Sequence, residues 1–188
     1  GETLSAGIGQ GYVLTTPMQL AVATSALATR GERRSPRLVR SVDGEPVNAP
    51  LLPPVVAKPE HWDAVHAAMR DVVHGERGSA RKIGVDIPYM MAGKTGTAQV
   101  IGIAQNAVYK EEEVAERHRN HGLFIAFAPL EAPTIAVAVL VENGGGGSSV
   151  AAPVAREVID AYLLPQLIAR FSREFPGAEV SLKIAGTG

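Results

Sequence analysis

The sequence predicts an α+β fold, an antiparallel sheet flanked by helices. Two apolar runs, Leu123–Ala128 and Thr134–Val141, are joined by Pro129-Leu130-Glu131-Ala132-Pro133, the mark of a hairpin with a loop of about five residues. Their near-continuous hydrophobicity suits strands covered on both faces. A third strand candidate, Met90–Val100, stands among segments with helical spacing, which completes the α+β reading.

Taken in order, the chain enters through a glycine-rich segment, Gly7-Ile8-Gly9-Gln10-Gly11-Tyr12. Thr16 suits an N-cap and Pro17 the first helical position, where its missing N–H costs nothing. Met18, Leu20, Ala21, Ala23, Thr24 and Leu27 keep helical spacing, and Gly31 is a natural stop. Residues Ser35 to Pro59 are proline-rich, with a short strand expected at Leu38–Val42 and a hairpin tip at Asp43-Gly44. A second helix is expected from Pro59 to Val73, burying Trp62, Val65, Met69, Val72 and Val73. The segment Ile103–Arg119, with Glu111-Glu112-Glu113, reads as an exposed excursion. Gly144–Ser149 reads as a flexible loop, and a third helix over Ala152–Leu164 is expected to bury Val154, Val158, Ile159, Tyr162 and Leu163.

Bulk properties exclude several classes of function. Hydrophobic residues are 46% and charged residues 20% of 188, an ordinary globular composition. A net charge of -1, with no basic stripe interleaved with aromatics, gives no reason to expect a nucleic-acid partner. The absence of cysteine removes disulfides and thiol chemistry. Leu123–Val141 approaches the length of a membrane span, but Pro129, Glu131 and Pro133 interrupt it. The chain starts at Gly1 and reads as a piece of something longer.

The sharpest motif is Lys94-Thr95-Gly96-Thr97 within the third strand candidate. Gly93-Lys94-Thr95 also matches the end of a phosphate-binding loop, but that pattern needs a glycine where Pro88 stands. Proline offers no N–H to a phosphate, so the nucleotide reading fails. Alone, the tetrapeptide is weak, since a surface strand carries such a string by chance.

Its surroundings are more specific. Gly-Ile-Gly-Gln-Gly-Tyr is followed by Thr-Pro-Met-Gln-Leu-Ala within Gly7–Ala21. Tyr89–Val100 contains Met-Ala-Gly-Lys-Thr-Gly-Thr-Ala-Gln-Val. His118–Gly146 contains Phe-Ala-Pro and Ala-Val-Ala-Val-Leu-Val-Glu-Asn-Gly-Gly. These ordered segments, with the insertion carrying Ala115-Glu116-Arg117, resemble class B penicillin-binding proteins, most nearly the elongation-specific subfamily. The resemblance implies part of a serine β-lactamase-like transpeptidase domain, which cross-links peptidoglycan stem peptides and is acylated by β-lactams. It places the C-terminal part of that domain at 1–164. It implies no cofactor and no metal. It implies a parent anchored in the inner membrane, with this domain in the periplasm, working beside a glycan polymerase.

In that setting each residue of the motif has a physical task. The acyl donor ends in D-Ala-D-Ala and carries a carboxylate, so a cation and hydroxyl donors are needed beside it. Lys94 supplies the positive field, and Thr95 and Thr97 supply hydroxyls. Gly96 leaves room for the substrate backbone. By resemblance, Thr97 also gives one oxyanion-hole N–H, which makes Lys94 and Thr97 the catalytic candidates and Thr95, Gly96 and Thr97 the substrate-binding ones.

The family also needs a Ser-x-x-Lys nucleophile motif and a Ser-x-Asn motif. Ser79-Ala80-Arg81-Lys82 matches the first, but it occupies the approach to the Lys-Thr-Gly strand and reads as a turn; no Ser-x-Asn string occurs. The chain alone is therefore expected to be inactive. The alternatives are a non-catalytic fragment or scaffold, and a D,D-carboxypeptidase or β-lactamase relative that transfers to water. His61 with His66, and His118 with His121, have helical spacing but lack further ligands, so they are read as solvated or hydrogen-bonded. From about Tyr162 the sequence departs from the family. Leu163–Phe171 and Phe175–Leu182 resemble the opening of a LysR-type effector-binding domain, and an ordinary helix followed by a strand accounts for them equally, so 165–188 is read as a tail of uncertain origin, native or chimeric.

Overall fold

The computed structural model describes residues 2–7, 13–48, 50–100 and 114–176. The glycine-rich entry beyond Gly7, most of the expected excursion, and the end of the tail lie outside them. A short helix α1 (Glu2–Gly7) precedes helix α2 (Pro17–Ala28), whose start is fixed as the sequence suggests. Thr16 accepts from the Gln19 N–H at 3.2 Å while the Gln19 side chain accepts from the Thr16 N–H at 2.8 Å, a reciprocal cap.

Two small ribbons follow. Strand β1 (Arg33–Arg34) pairs with β4 (Leu51–Leu52), and β2 (Ser41–Val42) pairs with β3 (Glu45–Pro46) around Asp43-Gly44. The hairpin tip stands where expected, but the strand is shorter than Leu38–Val42. Leu38 is fully exposed and has no face to bury. Helix α3 (Pro59–His74) buries His66, Met69 and Val73. Val65, expected inside, is exposed, and the His66 imidazole takes the inward place, tilted on Phe127 at a ring distance of 5.1 Å.

The main sheet has the order β5-β6-β7, all antiparallel, formed by β5 (Ala92–Ala98), β6 (His121–Ala128) and β7 (Ile135–Val141). The two apolar runs form the hairpin that their sequence predicts. Its strands are covered on both faces. Phe124, Ala126 and Ala128 pack with Ala151, Ala155, Ile159 and Leu163 of α4 (Ala151–Glu174). The opposite face sets Ala92 and Phe127 against Ala28 of α2 and Met69 of α3. Phe124, Phe127, Met91 and Ile159 are fully buried, so the helix–sheet–helix sandwich is closed at its centre.

Helix α4 differs from expectation in two ways. It buries the strip Ala151, Ala155, Ile159 and Leu163, spaced by four, while Val154, Val158 and Tyr162 are partly exposed. It also runs past Leu164, through Pro165, to Glu174. The proline lacks the N–H that would bond Ala161, yet Leu164 and Leu167 still pack on the core and draw the helix onward. The Gln166 side chain donates to the Tyr162 carbonyl at 2.7 Å in the same turn. Among the described residues no helix is long and apolar enough to cross a membrane.

Candidate active-site strand

Strand β5 leaves the core as it runs. Ala92 and Gly93 are buried, Lys94 is exposed, Thr95 and Gly96 are half-buried, and Thr97 is exposed. Its start is anchored: the fully buried Met91 donates its N–H to His74 Nε2 at 3.0 Å, and Leu130 N–H bonds the Met90 carbonyl at 2.9 Å. Burial and the Arg70 guanidinium hold the His74 imidazole below its ordinary value, and the neutral ring is the form with a lone pair for Met91.

The register Lys94↔Ile125, Thr95↔Phe124, Gly96↔Leu123 and Thr97↔Gly122 pins the motif onto β6. Among the described residues β5 pairs with β6 alone, so its other edge has no strand partner. The four motif residues therefore lie in a row on an open edge. Lys94 Nζ donates to the Thr95 carbonyl at 2.7 Å, which holds the ammonium beside the strand.

Glycines surround this edge for different reasons. A Cβ at Gly147 would lie 2.1 Å from the Leu123 carbonyl oxygen and 2.4 Å from that of Gly96, so the loop after β7 rests directly on the β5–β6 backbone. A Cβ at Gly122 would lie 2.5 Å from Val150 Cγ2. Among the described residues a Cβ at Gly96 would meet Leu123 Cβ at 3.3 Å and a carbonyl at 4.0 Å, a milder conflict than at Gly147 or Gly122.

The sequence reading left Ser79 out of the site. It does lie in a turn, but its Oγ is 3.0 Å from Thr95 Oγ1, and that is its hydrogen bond; exposed Lys82 is not its partner. A Ser-x-x-Lys base would have to reach Ser79, and this geometry does not provide one. No sequence signal marks this approach, which depends on how the turn after α3 folds back on β5. Two of the four histidines weighed from the sequence are engaged elsewhere: His66 Nε2 lies 2.7 Å from the Leu27 carbonyl, and His121 Nδ1 accepts from Asn143 N–H at 2.9 Å. Among the described residues no group of three His, Cys, Asp or Glu side chains stands close enough to hold a metal ion.

A second polar network braces the approach to β5. Tyr89 donates to Asp160 at 2.5 Å, and Arg156 pairs with Asp160 and donates to the Ile83 carbonyl at 2.6 Å. Burial, then the bond to Asp160, pushes the Tyr89 phenol well above its ordinary value, so it remains a neutral donor.

The chain belongs to the penicillin binding protein transpeptidase domain family, whose match covers residues 1–160. It is 42% identical over 175 residues to peptidoglycan D,D-transpeptidase MrdA of Haemophilus influenzae, covering 89% of this chain and 27% of that protein. The chain thus spans about a quarter of the length of that relative. The crystal structure of Pseudomonas aeruginosa PBP2 in complex with WCK 5153 superposes with a TM-score of 0.74 at 49% identity, over 87% of this chain and 33% of that one. A structure described as the structural coordination of polymerization and crosslinking by a peptidoglycan synthase complex matches 98% of this chain and 27% of its own, with a TM-score of 0.70 at 31% identity. The regulator-like reading of the tail finds no support in these comparisons, and α4 crosses Leu164 without a break.

Proposed function

We propose that this chain forms one wall of the active site of a serine D,D-transpeptidase, which cross-links peptidoglycan stem peptides and is acylated by β-lactams. The observation that carries this is the row Lys94, Thr95, Gly96 and Thr97 on the open edge of β5, with both Lys94 and Thr97 exposed. In the reaction a serine hydroxyl attacks the carbonyl between the two D-alanines, the terminal D-Ala leaves as the free amine, and the serine ester then passes its acyl group to the amine of a second stem peptide. Lys94 sets a positive field for the donor's carboxylate, and the Thr95 and Thr97 hydroxyls hydrogen-bond it. The Thr97 N–H stabilises the oxyanion, and Gly96 lets the peptide lie along the strand edge. The nucleophile belongs to another part of the parent, so the isolated chain forms no acyl-enzyme.

By the same reading the parent is held in the inner membrane with this domain in the periplasm, and it works beside a glycan polymerase. Support comes from the synthase complex whose chain matches here. The transpeptidase part is taken to run to Leu164, near the end of the family match at residue 160, with 165–188 as a tail.

A labelled penicillin tests the proposal. It is expected to leave this chain alone unlabelled, to label the full-length parent at a serine outside Gly1–Gly188, and to lose most of that labelling with Lys94→Ala. Stable acylation at Ser79, or near-normal labelling of Lys94→Ala, would overturn the assignment.

A further inference from the structure

Resting on the transpeptidase reading, we infer that Ser79 is a positioning residue that orients the Thr95 hydroxyl toward the carboxylate of the acyl donor. The two hydroxyl oxygens lie 3.0 Å apart although the residues are 16 positions apart in the chain. Ser79 does not reach β5 on a loose loop. Gly78 N–H bonds the Gly75 carbonyl at 2.9 Å, and Ala80 N–H bonds the Val72 carbonyl at 2.9 Å. A Cβ at Gly78 would lie 2.4 Å from the Val72 carbonyl oxygen, so the turn is pressed against the end of α3. Ala80 beside it is buried, which leaves the Ser79 hydroxyl as the group the turn presents to β5.

Thr95 is equally fixed at its backbone, paired with Phe124, whose ring is fully buried. The remaining freedom is in its hydroxyl, which has one proton to give and lone pairs to accept with. When Ser79 donates into Thr95 Oγ1, the Thr95 proton is released to point away from the turn and toward a ligand on the strand edge. The relay Ser79 to Thr95 to carboxylate then runs in one direction, and each bond polarises the next. Ser79 acts through Thr95 in this scheme and touches no reacting atom.

The test uses the full-length parent with a fluorescent penicillin, following the acylation rate against probe concentration for wild type, Ser79→Ala, Ser79→Thr, Thr95→Val and the Ser79→Ala/Thr95→Val pair. The carboxylate is held in ground state and transition state alike. Ser79→Ala should therefore raise the half-saturating concentration by roughly tenfold with little change in limiting rate. Ser79→Thr should restore it, and the double variant should be no weaker than Thr95→Val alone. Wild-type behaviour of Ser79→Ala while Thr95→Val is impaired would overturn the inference. So would losses that simply add in the double variant. A parent that no penicillin labels would instead remove the transpeptidase reading on which the inference stands.

Discussion

The ring of Phe124 occupies the space that a side chain on Gly93 would need: a Cβ there would lie 2.5 Å from Phe124 Cζ. Three positions further along, Gly96 faces no such obstacle among the described residues, where Leu123 Cβ at 3.3 Å is the nearest atom. Gly93 is therefore glycine for packing. On the proposed function, Gly96 is glycine so that a peptide can lie along the strand edge.

The two glycines should separate on mutation. Gly93→Ala overpacks the face under α4 and should cost about 1–3 kcal/mol of stability, read by urea unfolding. Gly96→Ala needs Leu123 to give only slightly, so its stability should stay near wild type while acylation by penicillin slows. Equal stability losses in the two variants would contradict this division.

The proposed function gives Thr97 a hydroxyl role and a backbone role, and one substitution separates them. Thr97→Val keeps the N–H and removes the hydroxyl, so acylation should fall by roughly tenfold. Loss of an oxyanion donor would cost roughly two to three orders of magnitude. A thousandfold loss in Thr97→Val would place the critical group in the side chain.

His74 should make stability sensitive to mild acid. Its folded pKa is lowered, first by burial and then by Arg70, so the neutral ring is favoured in the fold. The sign follows: this contribution is complete above the unfolded pKa of about 6.5 and is lost as pH falls through the lower folded pKa. Thermal melts should therefore decline below about pH 6.5 in wild type. They should decline less steeply in His74→Gln, whose amide oxygen still accepts from Met91 N–H but does not titrate. Identical acid slopes would remove His74 from the account.

In the Tyr89–Asp160–Arg156 brace, Asp160 accepts from both partners. Tyr89→Phe removes one bond and should cost about 1–2 kcal/mol. Asp160→Ala leaves the phenol and guanidinium without their shared acceptor, and should cost more, about 2–4 kcal/mol. Chemical denaturation of both variants checks the order, which is the diagnostic part.

Much of this architecture is legible in the sequence where one local rule decides the outcome. Thr16-Pro17 fixes the start of α2, and the paired apolar runs fix the β6–β7 hairpin. Errors fall where tertiary contact overrides pattern. Hydrophobicity favours Val65 over His66, yet the imidazole both meets Phe127 and bonds the Leu27 carbonyl, which a valine does not do. Pro165 and the change of sequence character near Tyr162 suggest a helix end, but Leu163, Leu164 and Leu167 continue the buried stripe. At the site, Lys94 to Thr97 stand out through their chemistry. Ser79 does not, because only the folded turn brings its hydroxyl to Thr95.

The open edge of β5 has a consequence for solubility. Unpaired strand edges recruit other strands, and proteins blunt them with charge, lysine above all. Lys94 stands on that edge, exposed, in the middle of an otherwise uncharged run from Ala92 to Ala98. The ammonium proposed to attract a carboxylate also repels a second copy of the same strand. Its replacement by an uncharged residue would thus open the strand edge to self-association, apart from any effect on a ligand.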